Sequence, residues 1–190
     1  MKPFTIRKAT IQDASSILAI YIPYIKNTAF TFEYEIPSIA SFEERMIETL
    51  NQYPYLIAEL EEEIIAYAYA SSFHARAAYQ YCAEVSVYTQ NDKRSLGAGK
   101  ALYAVLERIL KQQNVLNLNA CITYPNEASI RFHKKNGFIE NAHFHKCGYK
   151  LDQWWDMIWM EKMIGDHNEN PKPFIPFSEL SEEDINEIIN

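Results

Sequence analysis

Several features are scarce in this chain of 190 residues, and each shortage excludes a class of protein. There are only three cysteines, an odd number with no pairing pattern, which excludes a disulfide-stapled miniprotein and predicts reduced thiols. No uncharged apolar run approaches the roughly 18 residues that a membrane-spanning helix needs. The N-terminal segment also lacks the apolar core of a secretory signal peptide. We therefore predict a cytoplasmic protein with no membrane partner.

Basic charge is also scarce, because 18 Lys and Arg residues face 25 Asp and Glu residues and give a net charge of −7. A nucleic-acid-binding domain needs a basic face, so we expect no nucleic-acid partner. The acidic excess is concentrated after Ile164, where Lys172 is the sole Lys or Arg. We predict one domain over residues 1–163 and an acidic, proline-containing extension over 164–190. Docking of this extension on the same chain and docking on a second subunit are both left open.

The rest of the composition is that of a globular protein, with 48% hydrophobic and 23% charged residues. Alternating patterns predict strands near 4–7, 55–60, 64–70, 79–87, 116–122, 138–144 and 154–160. Helical spacing predicts one helix from Asp13, a second from a capping box at Ser41–Glu44, and further helices over 102–110 and 128–135. A short acidic helix is predicted after Ser181. The main order is βααβββαβαββ, an α/β pattern.

Only five glycines are present, and two of them form a turn between a predicted strand and an amphipathic helix. Gly97 and Gly99 expose backbone N–H groups at the start of that helix, an arrangement that binds phosphate oxygens. Basic side chains flank the turn at Lys93, Arg94 and Lys100. The spacing differs from the dinucleotide and P-loop patterns, which argues against NAD and ATP. An ordinary tight turn with a solvated basic rim is the alternative.

The segment Arg94-x-x-Gly97-x-Gly99 resembles the acetyl-CoA pyrophosphate loop of the GNAT superfamily of N-acetyltransferases. Downstream, Pro125-Asn126-x-x-Ser129-x-x-x-His133-x-x-x-Gly137-Phe138 resembles the second half of that cofactor site. More narrowly, the chain is similar to the phosphinothricin acetyltransferase family in segments 32–35, 76–79, 84–88, 129–133 and 148–156. The resemblance covers roughly residues 3–163. It implies the GNAT fold, a mostly antiparallel, splayed mixed sheet flanked by helices.

This resemblance implies an N-acetyltransferase that moves acetyl from acetyl-CoA to the α-amino group of a small amino acid or analogue in a ternary complex. Phosphinothricin, methionine sulfone and methionine sulfoximine are the acceptors that the family suggests. A rival activity is acetylation of a protein N-terminus, a polyamine or an aminoglycoside. A CoA-binding regulator without turnover is the alternative of a different class. We also expect a homodimer.

The resemblance assigns the cofactor site to the end of one strand, to the glycine turn and to the start of the next helix. The main-chain amide of Val87 would polarise the thioester carbonyl, and the Asn126 side chain would contact the pantetheine arm. A helix N-cap is an equal alternative for Asn126. The implied cofactor-binding residues are Val85, Ser86, Val87, Tyr88, Lys93, Arg94, Ser95, Leu96, Gly97, Ala98, Gly99, Lys100, Asn126 and Ser129.

Two residues are candidates for proton transfer. Glu84 alternates with apolar positions on its strand and therefore lies on a semi-polar face, where partial burial would raise its pKa and suit it as general base. A solvated or salt-bridged glutamate is the alternative. By resemblance, His133 is a proton donor or relay, and the alternative is a surface histidine beside Lys134 and Lys135.

The family's acceptor site falls on two loops. Arg76 and Tyr79 would hold the acidic end of the acceptor, because the Arg fork suits carboxylate geometry. His74 stands where family members commonly have Lys, which reduces the fixed positive charge. Phe32 and Glu35 would form the lip of the pocket, with ordinary loop packing as the alternative.

One further pattern, His143-x-His145-x-Cys147, has the residue types of a zinc site. No fourth ligand is evident in the sequence, so we expect no metal site. The aromatic residues Trp154, Trp155 and Trp159 lack an accompanying basic patch. They are therefore more typical of a core or a dimer surface than of a base-stacking platform.

Overall fold

The computed structural model describes residues 3–190, apart from the side chain of Ser95. The strands are β1 (Thr5–Lys8), β2 (Tyr55–Leu60), β3 (Glu63–Ser72), β4 (Cys82–Thr89), β5 (Asn117–Tyr124), β6 (Ile139–Lys150) and β7 (Gln153–Met163). The helices are α1 (Ala14–Asn27), α2 (Ile39–Gln52), α3 (Ala98–Gln112), α4 (Glu127–Lys135) and α5 (Glu182–Ile189). The predicted order of elements and the α/β class are confirmed. Among these helices of residues 3–190, none has the length and apolar character to span a bilayer.

All the strands form one mixed sheet in the order β1-β2-β3-β4-β5-β7-β6. Every neighbouring pair is antiparallel except β4 and β5, which are parallel. That parallel pairing is short and ends at Glu84, which lies opposite Asn119. Beyond this point β4 pairs only with β3, and β5 pairs only with β7. A gap therefore opens in the middle of the sheet, as expected for a splayed mixed sheet.

The two faces of the sheet bury side chains of different size. On the α3 face the strands present small residues such as Ala68, Ala70 and Ala83, which let Leu102 and Leu106 of α3 approach closely. On the α1 and α2 face they present aromatic rings, including a stacked pair with centroids 4.9 Å apart at Tyr55 and Tyr69. Side-chain alternation along β3 and β4 thus places small residues on one face of the sheet and tyrosine rings on the other.

Two of the boundaries that differ from the prediction have a local cause, and β6 also runs on to Lys150, beyond the predicted end at 144. Helix α2 begins at Ile39 because the Ser38 hydroxyl accepts the Ser41 N–H at 3.2 Å, so the capping box predicted to open at Ser41 is wrong. Tyr79 does not belong to a strand, since it closes a 3₁₀ turn in which its N–H donates to the Arg76 carbonyl at 3.0 Å. The hairpin predicted around the charged turn is confirmed, with Glu61 and Glu62 both at positive φ.

The acidic extension lies against the body of the same chain. Phe177 and Ile185 are each 2% exposed and belong to the core beneath α3. The Gln113 side chain, at the end of α3, donates to the carbonyls of Gln52 and Ile175 at 2.7 and 2.8 Å. These contacts show one of the two docking modes that the sequence leaves open, docking on the same chain.

We expect Phe177→Ala to lower the free energy of unfolding by about 3 kcal/mol, because it removes a buried ring and leaves a cavity. Ile47→Ala is the matched control, since Ile47 on α2 is 47% exposed. The control should change stability by no more than about 0.5 kcal/mol. Urea denaturation followed by tryptophan fluorescence measures both variants. Equal small losses would show that the extension does not pack on the body in solution.

Candidate active site

The gap between β4 and β5 opens into a cleft of about 420 Å³. Its walls come from the end of β4, the middle of β5, the N-terminus of α3, and α4. The predicted cofactor residues that line it are Val85, Ser86, Val87, Tyr88, Arg94, Gly97, Gly99, Lys100, Asn126 and Ser129. His133 lines it as well. The structure therefore brings two distant predicted segments to one place.

Three other predicted cofactor residues do not line this cleft. Ala98 is 1% exposed beneath the first turn of α3, and Leu96 packs on the core. The Lys93 ammonium lies 3.8 Å from the Asp92 carboxylate. The side chain of Ser95 lies outside the described part of the structure. The side chains of Lys93, Leu96 and Ala98 therefore support the turn or add charge near it, and they do not form the cleft wall.

The wall from β4 presents main-chain groups to the gap. The Thr89 N–H donates to the Tyr24 hydroxyl, and that hydroxyl donates to the Thr89 carbonyl. The Val85 carbonyl accepts from the Tyr103 hydroxyl at 3.3 Å. Val87 lies midway between Val85 and Thr89, and the main-chain groups of alternate strand residues point the same way. Its N–H and C=O therefore face the gap, where β5 no longer pairs with β4. This edge fits an extended ligand bearing amide groups.

The glycine turn supplies a second set of main-chain donors. Gly97 has φ of +79°, and no atom lies within 4 Å of the position that a Cβ would occupy. The first carbonyl of α3 to accept a hydrogen bond is that of Gly97, which accepts from the Ala101 N–H at 3.1 Å. The N–H groups of residues 98–100 precede that bond and have no intrahelical acceptor. Such a helix start fits a diphosphate.

Gly99 and Arg94 complete the turn. A Cβ on Gly99 would lie 3.4 Å from the Val87 side chain, so glycine allows α3 to approach β4 closely. The Arg94 guanidinium donates to Asn91 at 2.7 Å and lies 5.7 Å from the centroid of the Tyr24 ring. Its positive charge is thereby held at the mouth of the cleft.

Glu84 is the last residue of β4 that pairs with β5, so its side chain lies where the two strands diverge. The side chain is half-buried on the face opposite Ala83 and Val85. Within residues 3–190 its carboxylate has no hydrogen bond or ion pair, which excludes the salt-bridged alternative among these residues. Burial raises the pKa of Glu84, and the carboxylate is consequently a stronger base than a solvated one.

The neighbours of Glu84 on this face are groups that stay uncharged. Burial, and then the charge of Glu84, raises the pKa of Cys121 to about 12. The pKa of Tyr69 is also raised, first by burial and in part by the charges of Glu84 and Glu33. Cys121 therefore remains a thiol at neutral pH, and a thiolate nucleophile is not available there.

His133 is 4% exposed, so the alternative of a surface histidine is wrong. Its Nδ1 lies 2.8 Å from the Ser129 carbonyl oxygen, to which Nδ1–H donates. Its Nε2 lies 3.1 Å from the Tyr103 hydroxyl, whose one proton is in this tautomer shared between Nε2 and the Val85 carbonyl. Burial lowers the pKa of His133, which keeps the imidazole neutral at pH 7.

Tyr103 is a cleft residue that the sequence analysis missed. It is 6% exposed, and its hydroxyl links His133 on α4 with the Val85 carbonyl on β4. Its phenol is the polar group in an otherwise aliphatic stripe of α3. A buried Tyr hydroxyl needs a hydrogen-bond partner. A Tyr on the apolar face of a predicted helix is therefore the sequence signal that can identify such a residue.

Only some of the predicted acceptor-binding residues on the loop between β3 and β4 contact one another. The His74 and Tyr79 rings lie 5.0 Å apart between centroids, and Phe73 joins them to Trp159 on β7. Arg76 is exposed, and within residues 3–190 its guanidinium makes no hydrogen bond or ion pair. The loop thus places a cation at the surface beside an aromatic cluster.

The α1–α2 loop, residues 28–38, is fixed against β6. Phe32 covers Gly148 so closely that a Cβ there would lie 2.2 Å from its ring. The Lys150 ammonium, on a residue only 4% exposed, donates to the Thr31 carbonyl at 2.7 Å. The Tyr34 hydroxyl donates to the Tyr149 carbonyl. This loop therefore has a defined position beside the sheet.

The two acidic residues of this loop have different surroundings. Glu35, predicted for the lip of the pocket, is exposed and makes no hydrogen bond within residues 3–190. Glu33, which the analysis did not select, accepts from Tyr21 at 3.2 Å and from Arg45 at 2.8 Å. The ordered carboxylate on this loop is therefore Glu33.

The chain is similar to known acetyltransferases in sequence and in structure. The family model described as "Acetyltransferase (GNAT) domain" matches residues 6–159. A phosphinothricin N-acetyltransferase from Streptomyces viridochromogenes is 28% identical over 179 residues, which cover 94% of this chain and 97% of that protein. An L-methionine sulfoximine/L-methionine sulfone acetyltransferase from Pseudomonas aeruginosa is 29% identical over 160 residues, which cover 83% of this chain and 92% of that protein.

A solved structure extends the similarity to three dimensions. The crystal structure of a GNAT superfamily phosphinothricin acetyltransferase from Sinorhizobium meliloti in complex with acetyl-CoA superposes with a TM-score of 0.85 at 31% sequence identity. The match covers 92% of this chain and 98% of that chain. The predicted resemblance and fold are confirmed by these matches.

The raised pKa of Glu84 predicts a pH-dependent cost to stability. In the folded state the charged form is disfavoured, so this cost is absent below the ordinary pKa of 4.5 and grows as pH rises through the folded-state pKa. We expect Glu84→Gln to raise the melting temperature at pH 7 to 8 and to lose that advantage below about pH 4.5. Glu48→Gln, on the exposed face of α2, is the matched control. A variant no more stable than wild type at neutral pH would contradict the burial of the charge.

Proposed function

Because the chain belongs to the GNAT family of acetyltransferases and is an acetyl-CoA-dependent N-acetyltransferase, we propose that its acceptor is the α-amino group of a small amino acid or amino-acid analogue. The names of the relatives give phosphinothricin, methionine sulfoximine and methionine sulfone as their acceptors. The observation that supports the proposal most is the position of Glu84, a half-buried carboxylate that makes no hydrogen bond or ion pair within residues 3–190 and lies where β4 and β5 diverge.

The residues of the cleft suit the donor substrate. Acetyl-CoA supplies an acetyl group activated as a thioester. The Val87 N–H would polarise its thioester carbonyl, the Val87 C=O would hold its amide-bearing arm, and the amides at 98–100 with Arg94 would hold its diphosphate. The Asn126 Oδ1 accepts the Ser129 N–H at 3.2 Å, which confirms the N-cap role. Its Nδ2 has no partner within residues 3–190, so a contact with the arm is compatible with that role.

Glu84 is the proposed general base. The acceptor reaches the enzyme as an ammonium ion, and its nitrogen must lose a proton before it attacks a carbonyl. Glu84 accepts that proton at a carboxylate oxygen, directly or through a water. Because burial raises its pKa, the gap in acidity between the carboxyl and the ammonium is smaller than for a solvated glutamate.

His133 is proposed as a proton relay. Its Nδ1–H is committed to the Ser129 carbonyl, so the unprotonated Nε2 would take up a proton that the amine releases into the cleft and pass it to the coenzyme A thiolate. Burial disfavours the charged imidazolium form of His133. A proton that His133 takes up is therefore passed on and not retained.

The cysteines favour direct transfer between bound substrates. Cys121 lines the cleft, but its raised pKa keeps it protonated, and burial raises the pKa of Cys82 as well. A protonated thiol is a poor nucleophile, so an acetylated cysteine is not part of the proposed route. Within the ternary complex the amine nitrogen attacks the thioester carbonyl, the C–N bond forms as the C–S bond breaks, and coenzyme A leaves as a thiolate that takes up a proton.

We also propose a cytoplasmic homodimer. The three cysteines are unpaired, as expected for a reducing compartment. Large apolar side chains of the β6–β7 ribbon are exposed, with Phe144 at 51% and Trp154 at 60%, and a second copy would cover them. Sedimentation equilibrium of the purified chain decides between the dimer and a monomer.

Turnover should depend on Glu84 while binding of acetyl-CoA should not. We expect Glu84→Gln to lower kcat by about 100-fold or more, the usual contribution of general base catalysis, with an unchanged Kd for acetyl-CoA by calorimetry. In the wild type, kcat/KM should rise with pH as Glu84 ionises, and the variant should lose this rise. Glu48→Gln again serves as the matched control. Unchanged turnover in Glu84→Gln would remove Glu84 from the mechanism.

Arg76 should distinguish acceptors that carry an acidic group. Release of CoA is measured with phosphinothricin, methionine sulfone, methionine sulfoximine and the corresponding decarboxylated amines. We expect Arg76→Gln to reduce kcat/KM for the acidic acceptors by at least about tenfold and to spare the amines, since one charge-assisted hydrogen bond is lost. Arg108→Gln, exposed on α3, is the control. Wild-type enzyme that acetylates none of the amino acids would overturn the proposed acceptor class.

A further inference from the structure

Two histidines and an aspartate meet on the β6–β7 ribbon, outside the cleft. His143 Nε2 lies 2.9 Å from Asp156 Oδ2, and His145 Nδ1 lies 3.0 Å from the same oxygen. The three donor atoms all lie within 4.8 Å of one another. This arrangement brings two imidazole nitrogens and one carboxylate oxygen around a single point.

An irregularity in strand pairing holds the aspartate in place. Phe144 pairs with Met157 and Gly148 pairs with Trp155, so the β6 segment between them bulges opposite Asp156. Within the bulge Lys146 has φ of +49°, and its N–H donates to Asp156 Oδ1 at 2.7 Å. One carboxylate oxygen is thereby fixed by the main chain, and the other is directed at both imidazole rings.

The rings are oriented as well. Tyr124, at the end of β5, packs against His143 with ring centroids 5.1 Å apart. The His143 and His145 rings lie 4.4 Å apart, and the His145 side chain is 75% exposed. His143 is therefore held by its neighbours, while His145 is free to adjust and is open to solvent.

We propose that His143, His145 and Asp156 form a binding site for a divalent transition-metal ion such as Zn²⁺, with the remaining coordination positions open to water. Imidazole and carboxylate ligands suit zinc and its transition-metal neighbours, whereas calcium and magnesium prefer oxygen ligands alone. Zinc bonds of about 2.0 to 2.1 Å place tetrahedral ligands roughly 3.3 Å apart. The observed separations of 2.9 and 3.0 Å therefore need only a small adjustment.

The ligand set differs from the one considered in the sequence. The Cys147 sulfur lies 3.7 Å from the Phe144 carbonyl and 3.9 Å from the Trp155 carbonyl, so its thiol is directed at the main chain. Asp156 on the neighbouring strand takes its place as the third ligand. Cross-strand proximity, which the spacing of His143-x-His145-x-Cys147 does not contain, supplies that residue.

The ion would have no part in acetyl transfer. None of the three ligands lines the cleft formed by the described residues, and the proposed proton route uses other side chains. The site therefore stands or falls independently of the acceptor proposal.

Metal titration of the full chain tests the site. The protein is treated with EDTA, exchanged into chelator-free buffer without acetyl-CoA, and titrated with Zn²⁺ by calorimetry and with Co²⁺ by visible absorption. We expect one saturable site per chain and a higher melting temperature with Zn²⁺. Since loss of even an outer-shell partner weakens metal sites roughly 10- to 100-fold, His145→Asn should weaken binding by at least about tenfold. The double variant His143→Asn/His145→Asn should abolish it.

Two controls separate this site from adventitious binding. His167→Asn removes a histidine that bonds Asn117 elsewhere in the chain, and Cys147→Ser removes the neighbouring thiol. Both should retain wild-type affinity. The proposal is overturned by the absence of saturable binding, or by binding that survives the double variant. In either case the three side chains serve only as a hydrogen-bonded brace for the bulge.

Discussion

The short parallel pairing between β4 and β5 is the constraint on which the site depends. A buried main-chain N–H or C=O that lacks a partner is costly, so a sheet that opens in its middle must satisfy those groups in another way. Here Tyr24 and Tyr103 satisfy Thr89 and Val85, while Val87 is left for a ligand. Because the pairing ends at Glu84, the same divergence that creates a free edge also places a carboxylate beside it.

Much of the fold and part of the site follow from local sequence, because the responsible interactions are local. Periodicity gives the order of elements, and the glycine turn identifies the start of α3. The sequence does not show that His133 is buried beneath Tyr103, that Lys150 holds the α1–α2 loop, or that Asp156 lies opposite a bulge. Those contacts join residues from separate elements, and only strand register and helix packing determine them.

The electrostatics of the cleft oppose stability and favour reactivity. Glu84 is half-buried and has no partner among the described residues, whereas Arg7 pairs with Asp13 at 2.8 Å and lowers the pKa of that carboxyl. An ion pair therefore stabilises the Asp13 carboxylate, but no ion pair within residues 3–190 stabilises that of Glu84. A base with a raised pKa is obtained because the folded state tolerates an unfavourable charge.

The packing of the extension has a consequence for biosynthesis. Phe177 and Ile185 cover a core to which α3 contributes, although β5, α4, β6 and β7 all lie between α3 and Phe177 in the chain. While the ribosome is still making β6 and β7, that apolar surface faces water or a chaperone. The apolar surface that Phe177 and Ile185 cover is therefore buried only after the polypeptide has been synthesised past Ile185.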